Sequence, residues 1–271
     1  MSKKAWWLAV LSLIVLCGCD KGDPAVVEVD LSPHFDRRGV TGAFVLYDAS
    51  GDSYTYHNRD RCAERFLPAS TFKVMNALIA LETGVVAGPE EVIEWDGVDR
   101  GYAPWNQDHT LATAMEHSVV WYYQEVARRI GSERMQAYVD RVPYGNQDIS
   151  GGIDLFWLEG GLRISAEEQV ALLRRLYEGD LPFSERSIEI VRQMIVLEEG
   201  VGYRLSGKTG WTSRVQPQVG WFVGYLELGD DVYFFATNVG RETSSESLGW
   251  MSREITVEIL EEMGLLLGAG E

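Results

Sequence analysis

The residue pair with the clearest chemical potential is Ser70 and Lys73, in the stretch Pro68-Ala69-Ser70-Thr71-Phe72-Lys73. A serine hydroxyl is a weak nucleophile until an adjacent base takes its proton. If Ser70 opens a helix, a lysine three residues on lies one turn later on the same face and can be that base. The lysine serves only as the neutral amine, and burial among apolar side chains lowers its pKa by disfavouring the ammonium. The positive end of the helix also favours negative charge developing near the serine. Alone the pattern is weak, because a helix cap followed by a surface lysine has the same spelling.

A second constellation is Lys208-Thr209-Gly210. Set at a strand edge, it offers a cation, a hydroxyl and open backbone to an extended amide carrying a carboxylate. The same stretch, from Gly202 to Thr209, satisfies the P-loop spacing Gly-x4-Gly-Lys-Thr. That motif must open a helix, whereas Gly210, Pro217 and Gly220 lead into strand residues, so nucleotide binding is set aside. Ser118-Val119-Val120 and Tyr144-Gly145-Asn146 complete the set, with the loop Gly151 to Gly160 carrying Phe156-Trp157-Leu158-Glu159. Individually these read equally well as a helix hydroxyl and a turn. No Gly-x-Ser-x-Gly elbow occurs, which removes the α/β-hydrolase arrangement.

The elements that must hold these residues follow from periodicity. Thr71 to Glu82 is apolar nearly all round, the mark of a buried helix. Ala43 to Asp48 and Ser53 to His57, separated by Ser50-Gly51-Asp52, predict a hairpin, and Ala25 to Pro33 reads as a tether or an edge strand. Helices are expected over Leu111–Ile130, Ser132–Asp140, Ala166–Tyr177 and Ser184–Leu197. Strands follow over Tyr203–Lys208, Val219–Leu228 and Val232–Asn238, and a last helix over about Ser252–Leu266. Strands at both chain ends around a helical middle predict an α/β (α+β) fold. It has an antiparallel sheet completed by both termini, flanking helices and an inserted helical lobe, with the ligand site where the lobes meet.

A chain of 271 residues that is 46% apolar has material for one packed catalytic unit. Its net charge of -17 disfavours nucleic acid or anionic membrane surfaces as partners. Lys3 and Lys4, the apolar run Ala5 to Leu16 and Cys17-Gly18-Cys19 describe a signal peptide, too short for a membrane span. Leu16-Cys17-Gly18-Cys19 resembles a bacterial lipoprotein box, with Cys19 as the candidate for lipidation. The expected organisation is a signal peptide over residues 1–19, a tether over 20–34 and a catalytic domain over 35–266. The protein would be exported to the periplasm, its only membrane contact that anchor. Cys62 is then the one cysteine in the body of the protein and forms no internal disulfide. The four histidines show no ligand spacing, so no metal is expected.

Taken in order, Ser70-x-x-Lys73, Ser118-x-Val120, Tyr144-Gly145-Asn146, Phe156-Trp157-Leu158-Glu159-Gly160 and Lys208-Thr209-Gly210 resemble the class D serine β-lactamases. Asn76 to Gly84, Trp105 to Thr110 and Arg163-Ile164-Ser165 add to the likeness, which runs from about Phe35 to Leu260. The resemblance implies the serine β-lactamase and penicillin-binding transpeptidase type of fold, β-lactam substrates and an acyl-enzyme on Ser70. It implies that Lys73 is carboxylated by carbon dioxide or bicarbonate to N6-carboxylysine, walled and hydrogen-bonded by Val120 and Trp157, and acts as general base. Ser118 would relay a proton to the leaving nitrogen with help from Lys208. The N–H groups of Ser70 and Trp211 would form the oxyanion hole. Trp105, Tyr144, Thr209, Gly210, Trp211 and Arg214 would contact substrate, with Arg253 on its carboxylate and Arg241 as competitor. Residues 208–214 look most like the carbapenem-hydrolysing branch. Trp121 departs from the pattern, since proline usually follows Ser-x-Val. A β-lactam sensor that stays acylated and a penicillin-binding protein are the alternatives.

Overall fold

The computed structural model describes residues 23–266, so the signal peptide and Cys19 lie outside the described residues. The strands are β1 (Ala25–Glu28), β2 (Thr41–Asp48), β3 (Ser53–His57), β4 (Val92–Ile93), β5 (His109–Thr110), β6 (Val196–Gly200), β7 (Tyr203–Trp211), β8 (Gln218–Leu228) and β9 (Asp231–Arg241). The helices are α1 (Ser32–Asp36), α2 (Arg59–Ala63), α3 (Lys73–Glu82), α4 (Leu111–Glu116), α5 (Val120–Ile130), α6 (Ser132–Arg141), α7 (Ala166–Glu178), α8 (Glu185–Met194) and α9 (Leu248–Glu262).

Seven strands form one sheet in the order β1-β3-β2-β9-β8-β7-β6. Every neighbouring pair in it is antiparallel except β1 with β3, which run parallel. Both ends of the chain therefore build the sheet, with the helical lobe inserted between β3 and β6. Its central strands are covered on both faces, and their side chains alternate between two cores. Ala43, Val45, Trp221, Val223 and Tyr225 join the core under the helical lobe. Phe44, Leu46, Phe222 and Leu226 join the core under α9, with Ile255 and Ile259. β4 and β5 pair separately inside the lobe.

Four of the expected elements take a different form. The segment expected as one helix over Leu111–Ile130 is two, α4 and α5, broken at His117-Ser118-Val119. Ser118 takes φ 53°, a left-handed conformation that ends a helix at any residue adopting it. The segment expected as a helix through Leu197 stops at Met194 and returns as β6, paired with β7 across Gly200–Tyr203. Its Glu198-Glu199 stretch is exposed on both faces, so no apolar alternation announced a strand. The last helix begins at Leu248, capped by Ser247. A 3₁₀ turn, Ala69–Phe72, precedes α3 and carries Ser70.

Candidate active site

The turn bearing Ser70 is fixed from four directions. Trp221 Nε1–H donates to the Leu67 carbonyl at 2.9 Å, and Ala69 N–H donates to the Trp157 carbonyl at 2.9 Å. The Thr71 hydroxyl donates to the Pro68 carbonyl at 2.8 Å and accepts from Gln169 Nε2 at 2.8 Å. The fourth support is β7. A Cβ on Gly210 would stand 2.9 Å from the Pro68 carbonyl oxygen and 3.2 Å from Thr71 Cγ2. Only a glycine lets the Lys-Thr-Gly edge sit this close to the nucleophile's turn. The same supports hold Ala69 at φ 48°, which costs an alanine about 1–2 kcal/mol.

In a 3₁₀ turn, side chains three apart eclipse, and Lys73 Nζ accordingly lies 2.5 Å from Ser70 Oγ. Lys73 is fully buried on α3, its Nζ 5.7 Å from the centre of the Tyr123 ring. Burial holds its pKa well below the usual lysine value, and the nearby charges of Lys208 and Arg214 push the same way. Lys208, on β7, is also buried, and burial lowers its pKa to about 7. Neither lysine has a carboxylate partner among the described residues. The arrangement favours neutral amines, the form in which a lysine accepts a proton.

Ser118 stands between the two amines. Lys208 Nζ donates to its Oγ at 3.0 Å, and Lys73 Nζ lies 3.4 Å from the same oxygen. The break between α4 and α5 swings Ser118 into that position. Its own N–H donates to Met115 O at 3.2 Å and the N–H of Val119 to Ala114 O at 2.9 Å. Val120, the first residue of α5, is half-buried beside this break.

Tyr144 is placed differently from the sequence expectation. It is 2% exposed, edge-on to Phe72 at 5.3 Å, and offers no surface to a substrate. Its motif works as a clamp. Gly145 has φ 53°, and a Cβ there would collide with the Arg163 carbonyl. Asn146 accepts from Arg163 N–H at 2.8 Å and donates from its side chain to Gly161 O at 2.9 Å. These bonds close the base of the loop that carries Trp157. The Trp157 indole stacks on Phe72 at 5.6 Å, fully buried, and its Nε1–H has no hydrogen-bond partner. A buried donor without an acceptor is uncommon.

The remaining expected residues form the rim. Trp105 is half-buried and its Nε1–H donates to His117 O at 2.9 Å. Thr209 and Trp211 are half-buried along the end of β7, and Trp211 Nε1–H donates to Gln218 Oε1 at 3.1 Å. Arg214 is exposed and 3.6 Å from Glu159 of the Trp157 loop. Arg253 lies over the exposed Trp250 ring at 5.3 Å. Its helix reaches β7, since a Cβ on Gly249 would stand 2.8 Å from Gly210 O. Arg241 is already engaged with the carbonyls of Arg38 and Gly39, so of the two arginines Arg253 is the uncommitted one. Sequence reasoning missed the supporting roles of Ala69, Trp221, Gln169 and Tyr123, which residue type and spacing do not announce.

Comparison with known proteins agrees with this geometry. Residues 32–261 match the penicillin binding protein transpeptidase domain. The chain is 44% identical over 257 residues to beta-lactamase OXA-48 of Klebsiella pneumoniae, covering 93% of this chain and 96% of that protein. The crystal structure of the class D beta-lactamase YbXI from Nostoc matches with a TM-score of 0.84 at 42% identity, over 88% of this chain and all of that one. The C-terminal domain of the Bacillus licheniformis BlaR penicillin-receptor matches with a TM-score of 0.85 at 39% identity, over 89% of this chain and 97% of that one.

Proposed function

The chain belongs to the class D β-lactamases, built on the penicillin binding protein transpeptidase domain, and we propose that it hydrolyses β-lactam rings through an acyl-enzyme on Ser70. One observation supports the mechanism above the rest: Ser70 Oγ, Lys73 Nζ, Ser118 Oγ and Lys208 Nζ form a continuous chain of contacts of 2.5, 3.4 and 3.0 Å. Ser70 Oγ attacks the lactam carbonyl as its proton moves toward Lys73 Nζ. The lactam C–N bond then breaks, and its nitrogen takes the Ser118 proton while Lys208 replaces it. Water attacks the resulting ester and releases Ser70. The backbone N–H groups of Ser70 and Trp211 would carry the oxyanion, a contribution of about 3–4 kcal/mol per donor in other serine hydrolases.

Two features fit carboxylation of Lys73. Burial favours the neutral amine, the form that reacts with carbon dioxide, and the Trp157 indole N–H is a buried donor without an acceptor. Carboxylated Lys73 would supply a carboxylate-type general base at the nucleophile, with Trp157 and Val120 the residues to hold it. Thr209, Gly210, Arg214 and Arg253 would orient the substrate, with Arg253 on its carboxylate. The likeness of residues 208–214 to the carbapenem-hydrolysing branch extends the proposal to carbapenems. Residues 1–19 would direct export to the periplasm, and lipidation of Cys19 would anchor the protein there. Labelling of wild type but not of Cys19→Ser by a fatty acid in cells tests the anchor.

The similarity to a penicillin receptor makes turnover the discriminating measurement. A soluble form beginning at Asp20 is mixed with a chromogenic cephalosporin, with and without bicarbonate. Hydrolysis of many equivalents, faster with bicarbonate, supports the proposal. A burst of one equivalent that stops would overturn it in favour of a receptor or a penicillin-binding protein.

A further inference from the structure

Two tryptophans form a hydrogen-bonded link around Ser118, at the break between α4 and α5. Trp121 Nε1–H donates to the Trp105 carbonyl at 2.8 Å, and Trp105 Nε1–H donates to the His117 carbonyl at 2.9 Å. His117 is the residue before Ser118, and Trp121 is three residues after it. The link therefore runs from the first turn of α5, through the loop at Trp105, back to the residue on which Ser118 pivots.

The surroundings hold this link tightly. Trp121 is 6% exposed, with the Arg100 guanidinium 5.5 Å from its ring centre and the His109 ring 6.0 Å away. Burial lowers the pKa of His109, and its Nε2 lies 2.9 Å from the Pro104 carbonyl. The carbonyls of two successive loop residues, Pro104 and Trp105, are thus tied down from beneath. The N–H groups of His117, Ser118 and Val119 are all taken by α4. Without Trp105, the His117–Ser118 peptide would be held only by the 3.2 Å bond of its N–H to Met115 O, and its carbonyl side, on which the left-handed φ of Ser118 also depends, would lose its one anchor. That conformation is costly for a serine and persists only where neighbours over-determine it.

We propose that Trp121 is a positioning residue for the reaction: acting through Trp105, it fixes the His117–Ser118 peptide and so holds Ser118 Oγ between Lys208 and Lys73. The proposal rests on the β-lactamase reading above. It gives Trp105 an inward role besides any contact with substrate, and it gives a function to the position where proline is usual. Misplacing a proton-relay group by a fraction of an ångström slows the bond-breaking step and leaves initial binding nearly unchanged.

The test is Trp121→Phe, which keeps an aromatic ring and removes the indole donor. Stopped-flow mixing with a chromogenic cephalosporin separates the acylation rate constant from the initial dissociation constant. Acylation is expected to slow about tenfold, with the dissociation constant within about twofold of wild type. Trp105→Phe cuts the same link at its other bond and serves if the first variant folds poorly. Because both cut one link, the double variant should acylate no more slowly than the worse single. Unchanged acylation in a folded Trp121→Phe overturns the proposal, and so does a weakened initial complex with normal acylation, which would limit Trp121 to the substrate wall. Multiplying effects in the double variant would overturn it as well. A wild type that fails to turn over would instead sink the β-lactamase reading.

Discussion

Lys73 and Lys208 are buried beside Ser70 and Ser118, the closed end of the site; Arg214 and Arg253 lie nearer the surface, at its rim; and the four cations are built on opposite terms. The two lysines are buried, unpaired with any carboxylate among the described residues, and held low in pKa by the loss of water. Arg214 and Arg253 keep contact with water, one near Glu159 and the other over Trp250. Burying an unpaired amine is expensive unless it sheds its proton; at Lys73 this favours the proton-accepting form, and at Lys208 it makes the ammonium a ready proton donor. A water-exposed guanidinium stays charged and attracts a carboxylate without changing protonation. The closed end is arranged for proton transfer and the rim for capture.

That division predicts which substitutions stop chemistry and which weaken binding. The largest effect belongs to Lys73. Lys73→Ala is expected to lower kcat/KM by about a thousandfold or more, with bicarbonate stimulation lost as well. Its Tm should hold or rise, because the substitution removes a buried amine that destabilises the fold. Thermal melts together with initial rates check both halves. An active Lys73→Ala, or one whose rate still responds to bicarbonate, would collapse the distinction between the two regions.

Gly210→Ala ranks next. The added methyl meets the Pro68 carbonyl and Thr71, which carry the Ser70 turn, so one of the two elements must move. A shift of this size at a nucleophile costs on the order of a hundredfold in acylation. Affinity for a penicillin should change far less. The effect is read by comparing the acylation rate with binding to Ser70→Ala carrying the same substitution. Equal losses in rate and affinity would mean that Gly210 serves the rim rather than the turn.

The pH profile separates the two ends by their titration. In the proposed mechanism Lys208 donates as an ammonium, and burial lowers its pKa to about 7. As pH rises through that value the donor is lost, so kcat/KM should fall by about tenfold per unit above it. Burial pushes the Lys73 amine well below its usual range, toward the proton-accepting form. The two amines share Ser118, and the observed limbs belong to the coupled set. Lys208→Arg, with a guanidinium that does not titrate here, should remove the alkaline limb at the cost of a lower plateau. A limb near pH 7 that survives this substitution would assign it elsewhere.

The closed end was also the more legible part of the sequence. Ser70, Lys73 and Lys208 were singled out by residue type and spacing, each weakly when taken alone, and the relay role of Ser118 with Lys208 came only from the ordered resemblance to the class D β-lactamases. The sheet followed from short β-rich runs along β2, β8 and β9, apolar nearly throughout because both faces are buried. Ser118's surroundings did not, since apolar periodicity runs on from Leu111 to Ile130 and a single left-handed residue leaves no compositional trace. Tyr144 was read as a substrate contact because a residue name does not say which way a ring points; it backs Phe72 instead. Ala69 gave no signal at all, since its conformation is imposed by Trp157, Gly210 and Trp221 from distant parts of the chain. β6 was missed because an exposed, glutamate-bearing edge strand buries neither face.

The smallest expected effect lies on the rim and decides between two arginines. Arg253 stacks on Trp250 one turn along the helix that abuts Gly210, and no carboxylate in the described residues pairs with it. Arg241 spends its guanidinium on the carbonyls of Arg38 and Gly39. A substrate carboxylate reaching the Lys-Thr-Gly edge therefore finds Arg253 available and Arg241 occupied. Arg253→Ala should raise KM for a penicillin by about tenfold with little change in kcat, the mark of binding lost equally in ground and transition states. The effect should shrink as salt is added, because the attraction acts through water. Arg241→Ala should leave KM near the wild-type value and lower Tm instead, since its bonds tie the start of β2 to the end of β9. The opposite pattern, with KM rising in Arg241→Ala alone, would move the carboxylate site away from α9 and require the rim to be redrawn.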